Sequence, residues 1–307
     1  MNEWFGIVVI PHKEAWARLN FKPDLLVTYQ HLWKPSELEA FGARTTVVVP
    51  MYDDTPKTKA FWQGYLGFKI VSFSSTLGRQ LKDWGHDVLS VQYYPEVFEV
   101  RRTTSLRGFF WPRTESLDWS HIRQMVMGVS WDGFHLHLTN PEGRHNLPND
   151  NESEALKMEQ SDWYERPEDY LKVLDKTSVY FAPRRLEGIG QSFVEALVRG
   201  LCVVAPDAPT MNEYITHGVD GYLYDPESPA SLDWSKVDSL GDKAWERAKQ
   251  GRKAWVESLP TLKAFLTEST PRSHNKFHPF TVSQGKLIAL ARWLKRRFRK
   301  SGLPCPF

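Results

Sequence analysis

The chain alternates short apolar runs with amphipathic stretches over most of its length. Phe5 to Ile10, Asp24 to Thr28, Thr46 to Val49, Lys69 to Phe73 and Val88 to Val91 read as strands, each four to six residues of mostly branched or aromatic side chains. Between them, apolar positions at helical spacing predict helices over Ser36 to Phe41 and Thr76 to Trp84, the second closed by Gly85. A second series begins after Arg101 and Arg102. Leu106 to Trp111 and Phe134 to Leu138 read as strands; Trp119 to Met127 and Pro167 to Leu174 read as helices. The polar stretch from Asn140 to Gln160, rich in Asn, Glu and Pro, reads as a surface loop. Strand and helix taking turns in this way predict parallel α/β sheets. No internal repeat of 20 to 50 residues is present.

The densest patterning lies from Val179 to Pro226. A strand (Val179 to Ala182) leads into a loop with Gly188 and Gly190, then a helix from about Ser192, then a strand from Cys202 to Ala205. Glu187 stands before the glycines and Glu195 one turn into the helix. Free N–H groups at a helix start attract phosphate, and carboxylates accept hydrogen bonds from sugar hydroxyls, so the layout suits a nucleotide-sugar. Ser192 with Glu195 also fits a capping box, in which both side chains serve only the helix's own N–H groups.

These residues resemble the donor-binding signature of retaining GT-B glycosyltransferases of the family 4 type. Glu187, Gly188, Ile189 and Gly190, then Glu195, Ala196 and Leu197, reproduce its E-x7-E pattern; Gly200, Val203, Val204, Ala205, Glu213, Gly218, Gly221, Leu223 and Pro226 follow in similar order. The resemblance implies two Rossmann-like domains, an acceptor-side domain over residues 1–103 and a donor-binding domain over 104–285. A basic C-terminal helix over 286–307 would cross back. It implies transfer of a sugar from a UDP- or GDP-sugar to a glycan or lipid-linked glycan, without a metal and without a cofactor beyond the donor itself. Glu187 would hold hydroxyls of the transferred sugar, and Glu195 the ribose hydroxyls. Gly188, Ile189, Gly190, Gln191 and Ser192 would line the donor site, with Tyr164 and Trp163 near the nucleobase. Two rival readings share the architecture: a nucleotide-sugar epimerase, and a non-catalytic glycan-binding or scaffold protein.

A diphosphate needs a cation as well as a helix end, because the dipole contributes only about 0.3–1 kcal/mol against the roughly 8 kcal/mol of a micromolar complex. Arg113, just past the strand ending at Trp111, matches the family's arginine, although Pro112 replaces its glycine. The family's lysine five residues on is absent; Asp118 stands there, leaving Lys57, Lys59, Arg184 and Arg185 as substitutes. On the acceptor side the candidates are His31, Tyr52, Asp53 and Asp54, which follow strands, with His31 and Asp53 the catalytic candidates; the family's histidine near Tyr52 is missing. Against the family pattern only about two dozen residues precede Asp24 and no paired glycines occur there, which implies either a reduced acceptor domain or a divergent front of the chain.

Composition narrows the remaining choices. Against 39 basic and 37 acidic residues the net charge is only +2, which gives no reason to expect nucleic acid as a partner. Two cysteines, Cys202 and Cys305, support neither a disulfide framework nor a cysteine metal site, and fit a cytoplasmic setting. Residues 286–300 carry seven positive charges and no negative ones, with Leu287, Leu290, Leu294 and Phe298 at helical spacing. Such a segment suits either an anionic membrane surface, on the inner face of the cell, or a helix packed against protein.

Overall fold

The structure, a computed structural model, describes residues 22–99, 105–139 and 146–268. The first strand expected, Phe5 to Ile10, and the basic segment 286–307 lie outside the described residues.

Two parallel sheets form the frame. The first has four strands in the order β1 (Leu25–Gln30), β2 (Thr45–Pro50), β3 (Lys69–Ser72), β4 (Asp87–Ser90). β2 is apolar along its length and buried throughout, as befits an inner strand of a parallel sheet. Among the described residues β1 is the edge, and Val27 and Tyr29 on it are exposed. The crossovers are α1 (Pro35–Ala40), α2 (Lys59–Trp62, continued by a 3-10 turn to Tyr65) and α3 (Ser75–Asp83). Their apolar side chains Leu38, Trp62, Tyr65, Leu77 and Leu81 meet Val48, Ile70 and Val88 in one core.

The second sheet has six strands in the order β10-β9-β8-β5-β6-β7: β5 (Arg107–Phe110), β6 (Gly133–His137), β7 (Met158–Ser161), β8 (Val179–Phe181), β9 (Cys202–Pro206) and β10 (Tyr222–Tyr224). From β5 the chain winds outward through β6 and β7, returns to β8 beside β5, and winds the other way. The order reverses between β5 and β8, where Phe110 pairs with Phe181. In open α/β sheets such a reversal opens a crevice at the carboxyl ends of the strands. Alternate residues feed two cores: Phe109, Tyr180 and Val203 on one face, Phe110, Phe181 and Val204 on the other. The helices here are α4 (Trp119–Val126), α5 (Asp150–Ala155), α6 (Pro167–Leu174), α7 (Gln191–Val198) and α8 (Met211–Tyr214).

The surface loop expected over 140–160 is corrected in its second part. Residues 150–155 form α5 and 158–161 form β7, the sheet's edge. Glu152, one of the polar residues of that stretch, is buried and accepts a hydrogen bond from Trp119 Nε1 at 3.0 Å and another from Arg123.

The last described element, α9 (Val237–Thr267), runs 31 residues and joins the halves. At 1.5 Å per residue it spans roughly 46 Å. Ala244 and Ala248 near its start pack in the second core, while Leu262 and Leu266 near its end lie against Val47, Val49 and Val71 on the open face of the first sheet. Lys69 Nζ donates to the carbonyl of Phe265 at 2.6 Å, serving the helix's last turn. Among the described residues, α9 connects the second sheet to the first.

Candidate active site

Two loops project from the carboxyl ends of the strands that flank the reversal. Trp111, Pro112 and Arg113 follow β5; Ala182 to Gly190 follow β8 and lead into α7. Gly190 caps α7 with φ +71° and ψ +46°, a left-handed conformation that favours glycine, and an added Cβ would lie 1.9 Å from the Phe193 ring. Ser192 and Glu195 form no capping box: the helix starts one residue earlier than expected, and its cap has no side chain. The capping explanation for Glu195 falls away. Phe193 and Val194 N–H donate to the Gly190 carbonyl, whereas the N–H groups of Gln191 and Ser192 have no acceptor among the described residues.

Glu187 is the chemical centre. Only 8% exposed, its carboxylate accepts no hydrogen bond among the described residues. Burial pushes its pKa from 4.5 up to about 7; Asp53 adds to the rise, while Arg184 and Arg113 oppose it. Its backbone is fixed from below, since Thr210 Oγ1 donates to the carbonyls of Glu187 (2.8 Å) and Gly188 (3.0 Å). Glu195 is half-buried, and burial raises its pKa against the pull of Arg199. The hydroxyls of Tyr170 and Tyr180, both within the fields of these glutamates, are buried without a well-formed hydrogen bond. A group of buried polar atoms this poorly paired is what a polar ligand would satisfy.

Arg113 lies over the Trp111 ring, 4.5 Å from its centroid, and makes no ion pair among the described residues. Arg184 Nη1 bonds Asp53 Oδ2 at 3.1 Å, so a carboxylate of the first half reaches the crevice of the second. Of the other cations considered, Arg185 is held by the Ser116 carbonyl, Glu227 and His121, and Lys57 by the Tyr52 carbonyl and ring. Asp118, where the family's lysine would stand, is 1% exposed and caps α4, accepting from Ser120 N and from Asn146 N and Nδ2. It is a structural residue with no part in a phosphate clamp.

At Gly188, one of the residues expected to line the donor site, an added Cβ would lie 2.6–2.7 Å from Met51 and 3.0 Å from Asp53 Oδ1. The close approach it permits is to the first half, and Gly188, Ile189 and Gly190 are all buried. The Ile189 side chain packs with Val47, Val49 and Met51. Tyr164 stacks on His137, with ring centroids 4.6 Å apart, and its hydroxyl meets Ser161 Oγ (2.6 Å) and His135 Nε2 (3.1 Å). His135 and His137 thus share Ser161, and burial, then neighbouring positive charge, drives the His137 pKa down to about 4. Trp163 is 73% exposed. His31 follows the edge strand β1 and packs edge-on against Trp33; it is not among the groups that perturb Glu187.

One contact had no sequence forecast of its role. Glu213, on α8 of the second half, accepts from Ser74 Oγ (2.8 Å), Ser75 N (2.7 Å) and Thr76 N (2.9 Å), and so covers the start of α3 in the first half. Its carbonyl takes Gln92 Nε2 at 3.1 Å, and Tyr214 Oη takes the Tyr93 N–H. Glu213 matched the family pattern in sequence, but its partners lie 137 or more positions away. A cavity of about 420 Å³ lies past β10, lined by His217, Tyr222, Asp225 and Lys236, away from the strand reversal and without the carboxylate and guanidinium grouping.

Comparison with known proteins agrees with this layout. Residues 145–254 match the family described as glycosyl transferases group 1. No curated protein matches the chain by sequence. Among solved structures, Alr3699/HepE of Anabaena, in complex with UDP and glucose, is similar with a TM-score of 0.56 at 12% identity, covering 82% of this chain and 80% of that one. Sucrose-phosphate synthase of Thermosynechococcus elongatus gives 0.56 at 12% identity over 85% and 81%. A glycosyltransferase of Rickettsia africae gives 0.55 at 11% identity over 79% and 77%. The chain has the GT-B glycosyltransferase fold, and its second half carries the glycosyl transferases group 1 segment.

Proposed function

We propose that this protein transfers a sugar from a nucleoside-diphosphate donor, a UDP-sugar before a GDP-sugar, to a glycan or lipid-linked glycan, with retention of anomeric configuration and without a metal. The observation that carries the reading is Glu187: a buried carboxylate that accepts no hydrogen bond among the described residues, beside two guanidinium groups, at the strand reversal of a GT-B fold. Sugar hydroxyls would supply the donors it lacks, and Glu195 would take the ribose hydroxyls. Arg113 and the free N–H groups of Gln191 and Ser192 would face the diphosphate, where negative charge grows as the glycosidic bond breaks. The departing phosphate would accept the proton of the incoming hydroxyl on the same face. UDP is preferred as the donor base because the Anabaena relative's structure holds UDP.

Because Gly188 and Ile189 are covered by Met51 and Asp53, donor entry requires the halves to part at this seam. The acceptor would lie on the first half, past β2, with Asp53 at its border. The basic stretch 286–300 motivates an acceptor at an anionic membrane on the cytoplasmic side, and loss of vesicle flotation on truncation after Gly285 is the result expected. Sugar transfer is tested by Glu187→Ala: turnover should disappear while UDP still binds. Unchanged turnover would remove Glu187 from the chemistry. Donor consumption without any acceptor would favour an epimerase, and donor binding without turnover in the wild type a binding protein.

A further inference from the structure

Arg113 and Arg184 occupy matching positions. Phe110 and Phe181 are paired across the reversal as the last residues of β5 and β8, and each arginine stands three residues beyond its phenylalanine. The two guanidinium groups are near enough that, after burial, the charge of Arg184 is the largest influence making Arg113 harder to protonate. Like charges in a half-buried crevice repel unless an anion lies between them. The anions at hand are too few. Among the described residues Asp53 pairs with Arg184 and Arg113 has no ion pair, and Glu187 is close to half-neutral at pH 7. Arg184 also has a buried Nε–H with no acceptor among the described residues, a deficit that costs about 1–3 kcal/mol if nothing fills it.

We propose that Arg184 is the second cation of the diphosphate site, parked on Asp53 while the site is empty and withdrawn from it when a diphosphate enters. The inference rests on the donor reading above and assigns a role to a residue that reading leaves open. A diphosphate supplies the missing negative charge between the two arginines and gives Arg184 Nε an acceptor, and a planar guanidinium binds phosphate in two-pronged fashion better than it binds one oxygen of a carboxylate. Since Asp53 belongs to the first half, loading the donor would also undo one of the contacts that close the seam and free Asp53 on the acceptor side. Asp53 is then a positioning residue that holds Arg184 in reserve.

The test is calorimetric titration of UDP, GDP, UMP and GMP into the full chain and its Arg184→Gln, Arg184→Lys and Asp53→Asn variants, with circular dichroism to establish that each is folded. Arg184→Gln should weaken the better-bound diphosphate about tenfold or more, equivalent to about 1.4 kcal/mol, and leave its monophosphate within about twofold. Arg184→Lys should recover part of the loss. Asp53→Asn should tighten the diphosphate, because Arg184 no longer has to be withdrawn. A merely structural role would lower both nucleotides alike. Equal diphosphate affinity in Arg184→Gln, a parallel fall for mono- and diphosphate, or weaker diphosphate binding by Asp53→Asn would overturn the assignment. Binding of neither UDP nor GDP by the wild type would instead overturn the donor reading, and this assignment with it.

Discussion

Replacing Glu187 by glutamine should make the protein more stable at neutral and alkaline pH. The unfolded carboxyl ionises near 4.5 and the folded one near 7, because burial disfavours its charge more than Arg184 and Arg113 favour it. Below about pH 4 both forms are neutral, and the group has no effect on stability. Between the two values the unfolded chain releases its proton first, so stability falls as pH rises; above 7 the whole penalty is present. The gap corresponds, at about 1.4 kcal/mol per pH unit, to about 3 kcal/mol. Glutamine keeps the size and is neutral at every pH, so it should remove the penalty. Urea unfolding at pH 8 should show Glu187→Gln more stable by up to about 3 kcal/mol, the difference vanishing near pH 4. A variant no more stable than the wild type at pH 8, or a difference independent of pH, would refute the reasoning. A buried carboxylate kept at that cost is what a site selected for binding rather than for stability would carry.

Two further predictions concern the seam between the halves. Glu213→Ala removes three hydrogen bonds to the start of α3, two of them to backbone N–H groups, and should cost about 2–4 kcal/mol and split thermal unfolding into separate transitions for the two sheets; a single unshifted transition would contradict the latch. Gly188→Ala drives a Cβ to within 2.6–2.7 Å of Met51 and should cost about 1–3 kcal/mol, recovered in part by adding Met51→Ala; strict additivity of the two changes would show that they do not meet.

The parallel strands were legible because each is a short apolar run bounded by turn residues, and the Glu187–Glu195 spacing located the loop at the strand reversal. What escaped was set by distance along the chain. β7 reads Met-Glu-Gln-Ser, a polar edge strand whose pairing with Phe134 to His137 no local pattern announces. Ser192 and Glu195 gave a good capping motif, but Gly190, free to adopt positive φ, started the helix earlier. Gly188 read as backbone bared for a ligand; in the fold a Cβ there would meet Met51, 137 positions earlier, a neighbour that only the folded chain brings there. Arg184 and Arg185 were indistinguishable in sequence; one meets Asp53 at the crevice and the other Glu227. Asp118 showed that the family's lysine was missing, and the structure shows what replaced it, a helix cap.

The most direct test of the account is the crystal structure of the full chain with UDP bound. The account predicts the diphosphate between Arg113, Arg184 and the first N–H groups of α7, the ribose hydroxyls on Glu195, and Arg184 withdrawn from Asp53. UDP lodged in the cavity past β10, or bound with the Asp53–Arg184 pair intact and Glu195 untouched, would contradict it.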